Sequence, residues 1–168
     1  VLACLLVLGT APPEGTHADL PSDARLFIPA GWKPHAGEVD VVLHLHGTPT
    51  VTEPALLEAG RDAVLTTFNR KGLSAAYSGP FADASLFPKL IDETLKAVED
   101  HRPGGPYRAG RIVVSSFSAG FGGVREMLKQ PTAFDRIDTL VLADSLYCGY
   151  EGDPAARRVS AELMAGFR

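Results

Sequence analysis

The chain has 168 residues, about the length of one domain. Apolar residues make up 45% and charged residues 21%, enough to bury a globular core. The net charge of −4 argues against a nucleic-acid partner, because phosphate binding requires a basic face.

The chain opens in an apolar run, Val1-Leu2-Ala3-Cys4-Leu5-Leu6-Val7-Leu8-Gly9, followed by Thr10-Ala11-Pro12-Pro13. This pattern reads as the apolar centre and cleavage region of a secretory signal peptide without its charged start. It is too short to span a bilayer, which takes ~20 apolar residues. The expectation is therefore a truncated signal peptide over residues 1–18 and a partial domain over 19–168. The protein would be secreted or periplasmic, with no stable membrane span. A buried first strand is the competing reading. A lipidation box ending at Cys4 is disfavoured by the apolar residues that follow it. With Cys4 in the leader only Cys148 remains of the two cysteines in this sequence, so no disulfide is expected within its mature part.

Residues 10–24 are rich in Pro, Gly, Asp and Ser and read as a linker. Residues 24–28 form a short strand stopped by Pro29 and Gly31. Residues 39–45 form a longer strand, β-branched and mostly apolar, as in a parallel sheet buried on both faces. A helix starts at Thr52-Glu53-Pro54 and runs to Gly60. Residues 63–68 are the next strand, and 69–82 read as a surface loop. Leu86, Leu90, Ile91, Leu95 and Val98 fall on one face of a helix over about 84–101. Pro103-Gly104-Gly105-Pro106 ends it. Strand 111–115, helix 119–130 and strand 137–143 follow, and the chain reads as helical from about 154 onward. Strands alternating with helices predict an α/β fold with a mostly parallel sheet.

Ser116-Phe117-Ser118-Ala119-Gly120 follows a strand and opens a helix. A G-x-S-x-G nucleophile elbow needs that setting. The turn holds the serine in a strained conformation so that Oγ stands above the sheet edge. The positions two before and two after must be small, because strand and helix nearly touch there. Ser116 and Gly120 satisfy this, with Ser116 replacing the usual first glycine. The helix start also favours negative charge beside Ser118. A dinucleotide site is excluded: Gly120 and Gly122 have the G-x-G spacing, but Arg125 stands where the third glycine belongs.

His44-Leu45-His46-Gly47-Thr48 closes the second long strand. Gly47 lets the backbone turn tightly. His44 and His46 share a face at strand spacing, but no acid or cysteine cluster accompanies them, so no metal is expected. Asp144 ends the strand 137–143, one helix and one strand after Ser118. It reads equally as a catalytic acid and as a turn residue.

Taken together, His46-Gly47, the elbow at Ser118 and the strand ending at Asp144 resemble the α/β-hydrolase superfamily of serine esterases and lipases, over roughly residues 24–150. The resemblance implies an open, mostly parallel sheet flanked by helices, and hydrolysis of an ester without a cofactor. It implies an oxyanion hole from the Ala119 amide and that of Thr48 or Gly47, and a supporting role for His46. Asp144 would orient a catalytic histidine. The chain order for this fold is serine, acid, histidine. The five histidines, His17, His35, His44, His46 and His101, all precede Ser118. The base is therefore expected beyond Arg168, and the fragment alone is expected to be inactive. A small-molecule or carbohydrate ester is the implied substrate, with 69–72 and 77–81 as pocket walls or as a solvated turn and folded-back loop. A non-catalytic hydrolase-fold binding protein and an acyltransferase are the alternatives. Oligomeric state is not encoded.

Overall fold

A computed structural model describes residues 13–146, 150–153, 155 and 158–164. The leader expected over 1–18 lies mostly outside these residues, as does Cys148. Six strands form one sheet: β1 (Gly15–Asp19), β2 (Ala24–Pro29), β3 (Glu38–Leu45), β4 (Ala63–Phe68), β5 (Arg108–Phe117) and β6 (Thr139–Ala143). Their order is β1-β2-β4-β3-β5-β6. The β1–β2 and β2–β4 pairs are antiparallel. The other pairs, β4–β3, β3–β5 and β5–β6, are parallel. Helices α1 (Pro49–Glu58), α2 (Ala75–Phe81), α3 (Leu86–His101), α4 (Phe121–Leu128) and α5 (Pro131–Phe134) connect and flank them. The mostly parallel α/β architecture expected from the sequence is the one observed.

Burial explains the composition of the strands. Every residue of β4 is buried, which suits its continuous run Ala63-Val64-Leu65-Thr66-Thr67-Phe68. Its Thr66 is not orphaned: Oγ1 meets Thr94 Oγ1 at 2.7 Å, and Thr94 Oγ1 donates to Leu90 O. In α3, Phe87, Leu90, Ile91, Thr94 and Val98 are buried on one face. They cover the sheet together with Tyr77 and Phe81 of α2 and Val124 and Met127 of α4.

Several elements differ from the sequence expectation. Part of the expected linker, Gly15–Asp19, is the edge strand of the sheet, paired in register with β2. The expected loop 69–82 contains α2, because Tyr77 and Phe81 lie four apart and both are fully buried. Helix α1 begins three residues earlier, at Pro49, where a missing N–H costs nothing. Strand β5 begins at Arg108, and β6 begins only at Thr139. The single helix expected over 119–130 is a 3-10 turn, Ser118–Gly120, followed by α4. Of the helix expected from about 154 onward, the described residues show strand at Arg158–Val159 and helix only at Ala161–Met164. Strands β7 (Tyr150–Glu151) and β8 (Arg158–Val159) pair antiparallel, and a short α6 (Ala161–Met164) follows. Gly152, just after β7, has a left-handed backbone (φ 78°).

Candidate active site

Three neighbouring strands end together. Leu45 of β3 stands opposite Ser116 of β5, and Phe117 opposite Ala143 of β6. The residues that follow are His46, Ser118 and Asp144. Each is a non-glycine with a left-handed backbone, at φ 67°, 43° and 48°. Such conformations cost an L residue about 1–3 kcal/mol and concentrate where surrounding structure forces them. All three sit at the carboxyl edge of the parallel strands, where open α/β sheets bind ligands.

Steric crowding explains the small residues around Ser118. A Cβ on Gly120 would lie 2.5 Å from Leu45 O, and one on Gly122 would lie 2.3 Å from Ser74 O. A Cβ on Gly123 would lie 2.5 Å from Leu45 Cδ2 and 2.8 Å from Phe81 Cδ2. Ser116 is 1% exposed and its Oγ has no hydrogen-bond partner among the described residues. Ser118 itself is half-buried. Ala119 is in the first turn of the helical segment, where N–H groups lack intrahelical acceptors.

The loop after β3 is held from three sides. Asn69, one residue past β4, bonds both polar atoms of Gly47: Gly47 N–H donates to Oδ1 at 2.9 Å, and Nδ2 donates to Gly47 O at 2.7 Å. Gly47 N–H is thereby used, which leaves Thr48 as the amide of this loop able to face a ligand. Thr48 is the extended N-cap residue of α1 (φ −79°, ψ 142°). Below the loop stands His44, whose Nδ1 lies 2.7 Å from Ser115 Oγ. A Cβ at position 47 would lie 2.3 Å from His44 Nε2, so only glycine fits. Burial lowers the His44 pKa; the backbone of His46 opposes this and the charge of the His46 ring adds to it.

His46 is fixed by Tyr77, whose hydroxyl lies 2.7 Å from His46 Nδ1. The same hydroxyl donates to Arg70 O at 3.1 Å and accepts from Arg70 N at 3.0 Å. The hydroxyl thus joins the His46 ring to the backbone of Arg70. Burial raises the Tyr77 pKa, and the Arg70 backbone and charge oppose it, so the phenol stays protonated. The His46 ring also stacks on Phe117, with centroids 6.2 Å apart and planes at 11°. His44 and His46 thus turn to separate partners. Asp144 is exposed, followed by a buried Ser145 whose hydroxyl donates to Ala143 O.

A cleft of about 480 Å³ opens at this same edge, lined by Asp19, Asp23, Arg25, Pro49, Thr67 and Asn69 among others. Asp23 is paired with Arg70 at 3.1 Å. A second cleft, about 430 Å³, lies at the opposite end of the sheet around Glu14, Trp32 and Arg61. Asn69 and Tyr77 fall in the segments 69–72 and 77–81 that the sequence offered as pocket walls, but their holding of Gly47 and His46 was not expected. Their signals are weak: an amide just past a buried strand, and an aromatic four residues before another.

No known family profile matches the chain, and no curated protein matches it. Solved structures resemble it at low identity. ESTFA in its iron-lacking apo form is 17% identical, with a TM-score of 0.47 over 88% of this chain and 50% of its own. Esterase 2 of Thermogutta terrifontis, phosphonylated by sarin, is 16% identical, with a TM-score of 0.43 over 79% of this chain and 54% of its own. A cold-adapted esterase from an Arctic intertidal metagenomic library is 16% identical, with a TM-score of 0.39 over 76% and 56%. The chain spans about half the length of these structures. No helix among the described residues is long and apolar enough to cross a membrane.

Proposed function

We propose that this chain carries the nucleophile and oxyanion hole of a serine hydrolase that cleaves an ester through an acyl-enzyme on Ser118. The observation that carries the reading is the left-handed backbone of Ser118 at a strand–helix junction too tight for any side chain at Gly120. That strain lifts Oγ above the sheet edge, which has no structural use to the core. Ser118 Oγ attacks the acyl carbon and its proton passes to a base. The carbonyl oxygen becomes an oxyanion held by the Thr48 and Ala119 amides, each worth about 3 kcal/mol in the transition state. The base returns the proton to the leaving alcohol, and water then frees the acyl group.

His44 and His46 are held by Ser115 and Tyr77. The reading therefore assigns the base to a histidine beyond Arg168, with Asp144 as the acid that orients it. The substrate on this reading is a small-molecule or carbohydrate ester. The apolar run at the start of the sequence supports export by a signal peptide. In the full-length protein, Ser118→Ala is expected to cut turnover of a short-chain nitrophenyl ester by a thousandfold or more, roughly as for other nucleophile deletions. Hydrolysis undiminished by the substitution overturns the reading. A full-length protein without any turnover or serine labelling points instead to a binding protein on the same fold.

A further inference from the structure

We propose that Asn69 is a positioning residue that aims the oxyanion donor at Ser118. This rests on the serine-hydrolase reading above and adds a part to its site. The Gly47 carbonyl and the Thr48 N–H belong to one peptide unit. In a trans peptide they point in opposite directions, so whatever fixes one fixes the other. Asn69 Nδ2 holds the Gly47 carbonyl at 2.7 Å, and Oδ1 holds the Gly47 N–H at 2.9 Å.

The strand order supplies the direction. Strand β3 lies between β4 and β5. Asn69 follows β4, and Ser118 follows β5. The loop after β3 therefore has Asn69 on one flank and Ser118 on the other. With its carbonyl turned to Asn69, the Gly47–Thr48 peptide turns its N–H to the Ser118 flank. A hydrogen bond to the carbonyl also polarises the peptide and makes the N–H a better donor. Gly47 is required for a separate reason, because His44 leaves no room for a Cβ beneath it. Asn69 itself is exposed, so its two bonds are not demanded by the core.

The test uses the full-length protein with Asn69→Ala and Asn69→Asp. Asp retains an acceptor for the Gly47 N–H and loses the donor to the Gly47 carbonyl. Both variants are expected to lose about tenfold to a hundredfold in kcat, the scale of a small misplacement of a catalytic group. KM should move less than about threefold, as for an interaction made only in the transition state. Affinity for a boronic acid that mimics the tetrahedral adduct should fall by the same factor as kcat/KM. Assays at about 0.5 M salt, where the Debye length is about 4 Å, screen the field of the added carboxylate at the more distant Ser118. An Asp variant with wild-type kcat overturns the proposal, because a loop staple alone then suffices. A rise in KM at constant kcat overturns it as well. Turnover that survives Ser118→Ala sinks the serine reading and this one together. Turnover lost with Ser118→Ala and kept in both Asn69 variants sinks only this one.

Discussion

Ser118, His46 and Asp144 hold backbone conformations that cost each of them energy, and the surrounding residues show what enforces them. Leu45 O sits where a Cβ on Gly120 would go, and His44 Nε2 sits where one on Gly47 would go. His44 has a measurable consequence. Its pKa is lowered by burial, so the unfolded chain takes up a proton at a higher pH than the folded one. The stabilisation is fully present above the ordinary histidine pKa of about 6.5 and is lost as pH falls below it toward the folded value. Urea midpoints measured from pH 8 to 5 should fall through this window. In His44→Gln that part of the slope should vanish; an unchanged slope would assign it to other groups.

At the scale of elements, α2 is the piece that decides how His46 is held. Tyr77 serves three polar groups with one hydroxyl: His46 Nδ1, Arg70 N and Arg70 O. Tyr77→Phe leaves these without that partner and is expected to cost about 1–3 kcal/mol, read from denaturant midpoints. A change within about 0.5 kcal/mol, the scale of an ordinary surface substitution, would mean that water replaces the hydroxyl. Helix α2 was also the element least visible in the sequence. Gly79 and Pro80 advertise a loop, whereas Tyr77 and Phe81 carry the helical signal through tertiary burial alone. Strand β1 was hidden similarly, since Gly15-Thr16-His17-Ala18-Asp19 has no apolar alternation and is held by pairing with β2. The strands β3, β4 and β6 were legible as short apolar, β-branched runs, and the helix α3 because its buried residues recur on one face. The elbow was legible because steric crowding restricts Ser116 and Gly120 to small residues. Asn69 was not, because a polar residue after a strand looks the same whether it clamps a loop or faces solvent.

At the scale of the molecule, the site is assembled by strand order rather than by nearness in sequence. The sheet interleaves its strands, so β3 is flanked by β4 and β5, and the clamp on Gly47 spans 22 residues. His46 meets Phe117 only when β3 and β5 are in register. Non-local pairings of this kind close late, after the loop entropy has been overcome. On the proposed hydrolase reading, recovery of ester turnover during refolding of the full-length protein should therefore trail the far-ultraviolet helix signal. Simultaneous recovery would show that the carboxyl edge forms together with the helices.

The crossing of Asn69 and Ser118 on either side of one loop has a consequence for quality control. A chain that has collapsed with its helices formed but its strands mispaired keeps Asn69, Gly47, Thr48 and Ser118 and loses the arrangement that the proposed oxyanion hole requires. On the proposed reading, turnover by the full-length protein would certify a correctly threaded sheet, and an immature chain would be chemically silent.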